Sequence, residues 1–184
     1  MRVADVKQVA IAVLCIGTLA GACAQPVQFR DKNGHVLPES PSMRTVNGMG
    51  GMLIVTSDKE WRKKWKSPEG NQKTFSSLST VARGTQIFFL AFFSNPKLDA
   101  QGHPNLVCDF DAVKPDGQNA IHHTDLVCFE GALKGQPRNM YLAAPVFNFL
   151  PQSSDQLGTY TVHMTIKDKL GNTVLPLTSS FKLE

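Results

Sequence analysis

The stretch GTYTVHMTIKD, residues 158–168, decides the fold class. Tyr160, Val162, Met164 and Ile166 alternate with Thr159, Thr161, His163, Thr165 and Lys167, the period of two that gives a strand one buried and one wet face. Residues 168–172 carry turn chemistry and Thr173 to Leu183 reads as the returning strand, so the chain closes on a β-hairpin. Pro176 has no N–H to give to a ladder, which assigns its strand an edge or a bulge.

Upstream, TQIFFLAFF at residues 85–93 is apolar almost without interruption, the pattern of a strand buried on both faces. It is the expected centre of the core, covered by an opposite sheet on one side and by a helix on the other. That helix is expected over Asp58 to Lys66. Ser57 with Glu60 three residues later has the form of a capping box, Trp61 and Trp65 share a face, and Ser67-Pro68 stops the helix. MLIVT at 52–56, Phe75 to Val81 and a piece of Tyr141 to Phe149 supply further strands. Residues 25–51 are rich in Pro, Gly, Ser and Asn and read as an extended arm. Within it NGMGG at 47–51 lacks a following Lys-Ser/Thr, so it reads as a flexible lead-in and not as a phosphate-cradling loop.

The first 24 residues have the order of a secretory signal: Arg2 and Lys7, then the apolar run Val9 to Leu19, then small residues ending at Ala24. The apolar run is too short to span a membrane. The alternative is a lipoprotein anchored through Cys23, but that pattern wants Leu three residues before the cysteine, where this chain has Ala20. Cleavage after Ala24 leaves Cys108 and Cys128, and an exported protein with two cysteines pairs them. The net charge of +4 comes from scattered residues and points to no nucleic acid and no anionic membrane. At 42% hydrophobic content, residues 52–184 suffice for one domain with one core.

Around the cysteines, LVCDFDAVKPDGQNAIHHTDLVCF at 106–129 reads as strand, Pro-Asp-Gly turn and strand. If Cys108 faces Cys128 across a simple hairpin, Phe110 faces Leu126 and Ala112 faces Thr124. The other face then sets Asp109 against Val127, Asp111 against Asp125 and Val113 against His123. Like charges directly opposite are unfavourable. Asp109, Asp111, Asp125 and His123 are therefore a candidate metal set, for Ca²⁺ through the carboxylates or for copper or zinc through histidine. No D-x-D-x-D-G spacing accompanies them, and solvated carboxylates on an open sheet face are the competing reading. His122 and His123 point to opposite faces of a strand, so one at most could join a site with His103. A second candidate is the basic and aromatic helix patch of Trp61, Arg62, Lys63, Lys64 and Trp65, a possible surface-binding site whose tryptophans compete for a place in the core.

The closing GTYTVHMTIKD hairpin, with Phe181 near its end, resembles that of immunoglobulin-like and fibronectin-like domains, in which Tyr160 would be the corner tyrosine tied back to the preceding loop. An antibody-type domain has a cysteine two residues later, where this chain has Val162, so the Cys108–Cys128 bridge is not the usual inter-sheet pin. The resemblance covers about the last hundred residues and implies a fold only. It implies a mainly-β chain, an antiparallel β-sandwich of about seven strands with one short helix. No G-x-S-x-G, H-E-x-x-H or free reactive cysteine is present. The expected function is non-enzymatic and needs no cofactor: an exported, periplasmic binding module that meets a partner protein through loops or an exposed edge. Two other classes stay open, a metal-binding exported protein and a small exported hydrolase. The latter requires a cleft holding a histidine bonded to both a carboxylate and a nucleophile.

Overall fold

The computed structural model describes residues 27–31, 33–67 and 74–184, with the backbone of residues 7–10. The expected signal, its cleavage site and Cys23 lie outside the described residues, apart from Lys7–Ala10, which form β1. There follow β2 (Met43–Val46), β3 (Met49–Thr56), α1 (Trp61–Lys66), β4 (Thr74–Ser77), β5 (Thr80–Val81), β6 (Ile87–Ser94) and β7 (Leu106–Val113). The chain ends with β8 (Asn119–Val127), β9 (Tyr141–Leu142), β10 (Phe147–Phe149), β11 (Gly158–Asp168) and β12 (Thr173–Leu183). Among the described residues no helix is long and apolar enough to cross a membrane.

The protein is a mainly-β sandwich of two five-stranded sheets. The first has the order β10-β6-β3-β2 with β9 also on β6, and the second the order β5-β12-β11-β7-β8. β5 runs parallel to β12, and the other pairs within the two sheets are antiparallel. A separate pair joins β1 to β4. The strands beyond the expected seven include pieces too short for periodicity to mark: β5 and β9 have two residues each and β10 has three.

Alternation sorts the core. Leu53, Val55, Phe89, Ala91 and Phe93 of the first sheet meet Phe110, Val162, Met164, Ile166, Leu175 and Leu177 of the second. The other face of β3 and β6 is apolar too, and Met52, Ile54, Leu90 and Phe92 are buried in a second cluster with Phe29, Trp61 and Phe75. Trp61 lies 6.0 Å from the Phe88 ring and Trp65 lies 5.3 Å from Phe92. The first sheet is thus covered on both faces, as the apolar run of β6 requires.

Three expectations need correction. The helix begins at Trp61 and no side chain caps it at Glu60. Asp58 takes over the start by accepting the Glu60 N–H at 3.0 Å and pairing with Lys64. Its end is as expected, since Ser67 is extended (φ −59°, ψ 150°) before Pro68. Second, residues 43–51 are no arm. Asn47 (φ 49°) and Gly48 (φ 81°) make the left-handed pair of a tight hairpin turn between β2 and β3. Gly50 and Gly51 follow in buried strand, and Val27 and Phe29 are buried as well. Third, the Cys108–Cys128 disulfide forms with a Cα–Cα distance of 5.3 Å, but it is not a ladder pair. Cys108 pairs with Leu126, so the bridge runs diagonally to a residue two places on.

The corner tyrosine is in place. Tyr160 donates its hydroxyl hydrogen to the Gln156 carbonyl at 3.0 Å, and burial, with help from Asp155 and Asp116, pushes its phenol above the ordinary value of 10.0. The β11–β12 turn is held by Asp168, 3% exposed, whose carboxylate accepts the N–H groups of Leu170, Gly171 and Lys97 at 2.7 to 3.0 Å.

A Cβ on Gly51 would stand 2.4 Å from Leu175 Cδ2 and 3.3 Å from the Phe92 carbonyl oxygen. Gly51→Ala is expected to destabilise the domain by about 1–3 kcal/mol through overpacking, seen as a lower urea midpoint. Replacing both Cys108 and Cys128 with alanine is expected to cost about 3 kcal/mol from restored chain freedom, measured the same way.

Candidate functional site

Among the described residues no helix or strand packs over the outer side of the second sheet, and strand alternation delivers polar side chains there. β7 contributes Val107, Asp109, Asp111 and Val113 to this face, all partly exposed, while Leu106, Cys108, Phe110 and Ala112 are buried. On β11 the same face carries Thr161, His163, Thr165 and Lys167. Register aligns them into rows: His122, Asp111, His163 and Thr178 across β8, β7, β11 and β12, and Val127, Val107, Lys167 and Val174 nearer the hairpin tip.

In the first row the His122 Nδ1–H meets Asp111 Oδ1 at 2.5 Å, and His163 Nδ1 shares a hydrogen bond with Thr178 Oγ1 at 3.1 Å. Asp111 is the ladder partner of His163, but its hydrogen bond goes to His122. The row therefore consists of two pairs and not of one carboxylate–histidine–hydroxyl relay.

Between the rows lies a three-member ion cluster. Lys167 Nζ donates to Asp109 Oδ1 at 2.8 Å and to Asp125 Oδ1 at 3.1 Å. A one-residue bulge in β8 makes this possible, because the register shifts between Cys108 and Phe110, and Asp125 adopts φ 51°. That turn aims the Asp125 N–H at Asp109 Oδ1, 3.0 Å away.

The expected metal set is accordingly dispersed. Asp109 and Asp125 come together, but with an ammonium between them. Asp111 faces His122 and not Asp125, since the diagonal bridge and the bulge shift the simple hairpin register by two and then three residues. His123 lies opposite buried Phe110 on the core side, stacked on Phe147 at 5.5 Å. His103 sits in a loop with Asp99, 3.5 Å away. Among the described residues no three His, Cys, Asp or Glu side chains form a group able to hold a metal. Of the helix patch, Trp61 is buried, Trp65 is half-buried, and Arg62 lies 4.9 Å over the Trp61 ring. Lys63 is exposed, and Lys64 is exposed while paired with Asp58. The tryptophans thus belong to the second core cluster, and the surface they leave is basic without an exposed aromatic platform.

Sequence reasoning missed His163 and Thr178. His163 was visible as the one imidazole on the wet face of GTYTVHMTIKD, but its neighbours depend on strand order. It also missed a cleft of about 630 Å³ beside them, where Pro41–Ser42 and Ser77–Ser79 approach the β12 edge.

No protein-family model and no curated protein matches the chain. Among solved structures it is similar to a Niemann-Pick type C2 protein from Japanese carpenter ant at 10% identity and TM-score 0.39, covering 72% of this chain and 89% of that one. It is also similar to a family 123 glycoside hydrolase from Clostridium perfringens, at 10% identity and TM-score 0.38 over 73% of this chain and 27% of that one. A third is the Pseudomonas fluorescens alkylpurine DNA glycosylase AlkC, at 15% identity and TM-score 0.33 over 58% and 28%. The chain spans under a third of the latter two. Likenesses of this degree transfer no activity, substrate or partner.

Asp109 titrates abnormally. Its partial burial disfavours the charge, but the Lys167 hydrogen bond, the Asp125 N–H and the charges of Lys167 and Lys169 outweigh that and hold it below the ordinary 3.8. Hydrogen bonds to Asp109 and then Asp125 hold Lys167 above the ordinary 10.5. A depressed carboxylate stabilises the fold above its unfolded value and loses that contribution as pH falls through its folded one. A raised ammonium contributes fully below its unfolded value and loses it as pH rises through its folded one. Wild type is expected to melt higher than Asp109→Asn at neutral pH, with the gap closing as pH drops below 3.8. A melting difference independent of pH would show that the carboxylate charge is not its source.

Proposed function

We propose that this protein is an exported, non-enzymatic binding module of immunoglobulin-like build that meets a partner protein through the outer face and free β8 edge of its second sheet. Export is supported by the signal-like first 24 residues and the buried disulfide. An immunoglobulin-like build is supported by the order β5-β12-β11-β7-β8 with β5 parallel to β12, and by the Tyr160 tie.

The asymmetry of cover carries the binding reading. One sheet is buried on both faces, whereas the other presents an open face on which exposed valines share a row with Lys167. Val127 is 54% and Val174 56% exposed at the two ends of the row that holds Lys167, directly beside Asp109 and Asp125. Exposed apolar side chains around an ordered ion cluster suit a protein surface that supplies both contact area and complementary charge. β8, exposed along most of its nine residues, ends the sheet and leaves backbone groups for an added strand.

A photo-crosslinking residue at Thr165, in the middle of this face, is expected to give a discrete adduct in the exported fraction of the native cells. The same residue at Arg62 on the covered side is expected to give none. Val174→Asp should lower the Thr165 adduct by about tenfold, the loss of one interface anchor. No adduct from Thr165, or the same adducts from both sites, would remove the reading.

A further inference from the structure

The cleft at the β12 edge has a chemistry of its own. Eight of its ten lining residues carry a hydroxyl and none carries a charge. Ser42, Ser77 and Ser79 come from the two segments beside the strand, and Thr161, Thr178 and Ser180 come from the sheet. At about 630 Å³ it lies within the size range of small-molecule sites.

The backbone adds a fixed donor. Thr178 gives its N–H to the Pro41 carbonyl at 2.7 Å and Lys182 gives its N–H to the Ser79 carbonyl at 2.8 Å, so both point away from β11. Strand alternation turns the Ser180 N–H the same way, into the interval between those two bonds. Pro176 obeys the same phase, and its missing N–H falls on this free edge. The Thr178 hydroxyl is held in orientation by His163.

These features discriminate among ligands. No lining residue would pair an ionised group, and Lys182, the ladder partner of Thr159 beside the cleft, is already paired with Glu184 at 3.5 Å, so such a group would lose water at a cost. The exposed lining is more apolar than polar, with hydroxyls set among carbon surface, so the ligand that suits it has C–H faces as well as hydrogen-bonding groups. A neutral polyol answers both conditions, since a hydroxyl can donate one hydrogen bond and accept two, and even Thr178 and Ser42, bonded to His163 and Ser40, keep capacity for a group of the same kind. The threonine methyls, Leu78 and Pro41 give the C–H faces of such a ligand something to cover. We infer that the cleft binds a short, uncharged oligosaccharide. The cleft lies at the β12 end of the face offered to the partner protein, but its ligand is argued independently of that reading, and the purified full chain suffices to test it.

Amide spectra of the full chain are to be recorded with neutral trisaccharides of glucose, mannose, galactose and N-acetylglucosamine at about 10 mM, well above a Kd of about 1 mM. At least one is expected to shift the Thr161, Thr178 and Ser180 amides, with a uronic-acid trisaccharide bound about tenfold more weakly. Thr161→Val with Thr178→Val keeps shape and strand preference while removing two hydroxyls, and should weaken binding about tenfold. Thr165→Val, outside the cleft on the same face, should bind as wild type does. The inference is overturned if none of the four sugars shifts these amides, if the charged sugar binds equally well, or if both sets of variants behave alike. Should the double variant not fold, Ser180→Ala and the charged-sugar comparison still decide. Crosslinking from Thr165 can fail or succeed whatever this titration shows.

Discussion

The structure depends on β6 being apolar on both faces. Phe89, Ala91 and Phe93 look toward the second sheet, while Phe88, Leu90 and Phe92 look the other way. Leaving either set in water would forfeit about 25 cal/mol for every Å² of apolar surface, so two covers are needed. The second sheet supplies one. Helix α1, Phe75 and Phe29 supply the other, with Trp61 and Trp65 seated over Phe88 and Phe92. Once the short helix and the N-terminal segments are used on that side, nothing among the described residues covers the far face of β11 and β7. The polar alternation of those strands suits it to face water or a partner.

The composition of the open face turns on one bulge. Without it, the register of Val107–Val127 and Cys108–Leu126 would have run on to set Asp109 directly opposite Asp125 and Asp111 opposite His123. The extra residue and the left-handed Asp125 bring its backbone N–H to Asp109 and its carboxylate to Lys167. A repulsive pair becomes a cluster with its own cation, and Asp111 is released to His122. The diagonal disulfide sits on the opposite side of the same strands, so one short region combines a buried covalent tie with an ordered ionic surface.

Much of the fold was legible because it rests on local period. The β11–β12 hairpin, the doubly buried β6 and the Trp61–Trp65 face each follow from patterns within about ten residues. The tie from Tyr160 to Gln156 was legible by resemblance. The hairpin at 43–56 was not, because Met49, Gly50 and Gly51 give no alternation and glycine-rich sequence looks mobile. Gly50 is nevertheless packed against Val27 and Phe29, and Gly51 against Leu175 and Leu177. The helix start moved because Asp58 and Ser57 are both able to cap, and the ion pair with Lys64 favours Asp58. For the candidate site, individual residues were visible but their company was not.

By itself the sequence determined a β protein with a closing hairpin, a core centred on β6 and a paired Cys108 and Cys128. Each of these follows from side-chain period or from cysteine count. Tertiary structure alone decided that Lys167 separates Asp109 from Asp125, that His163 meets Thr178, and that eight hydroxyl-bearing residues line one cleft. The reason is register. A shift of one residue moves a strand's side chains to new partners, and the bulge and diagonal bridge that set the shift here leave no periodic trace in the chain.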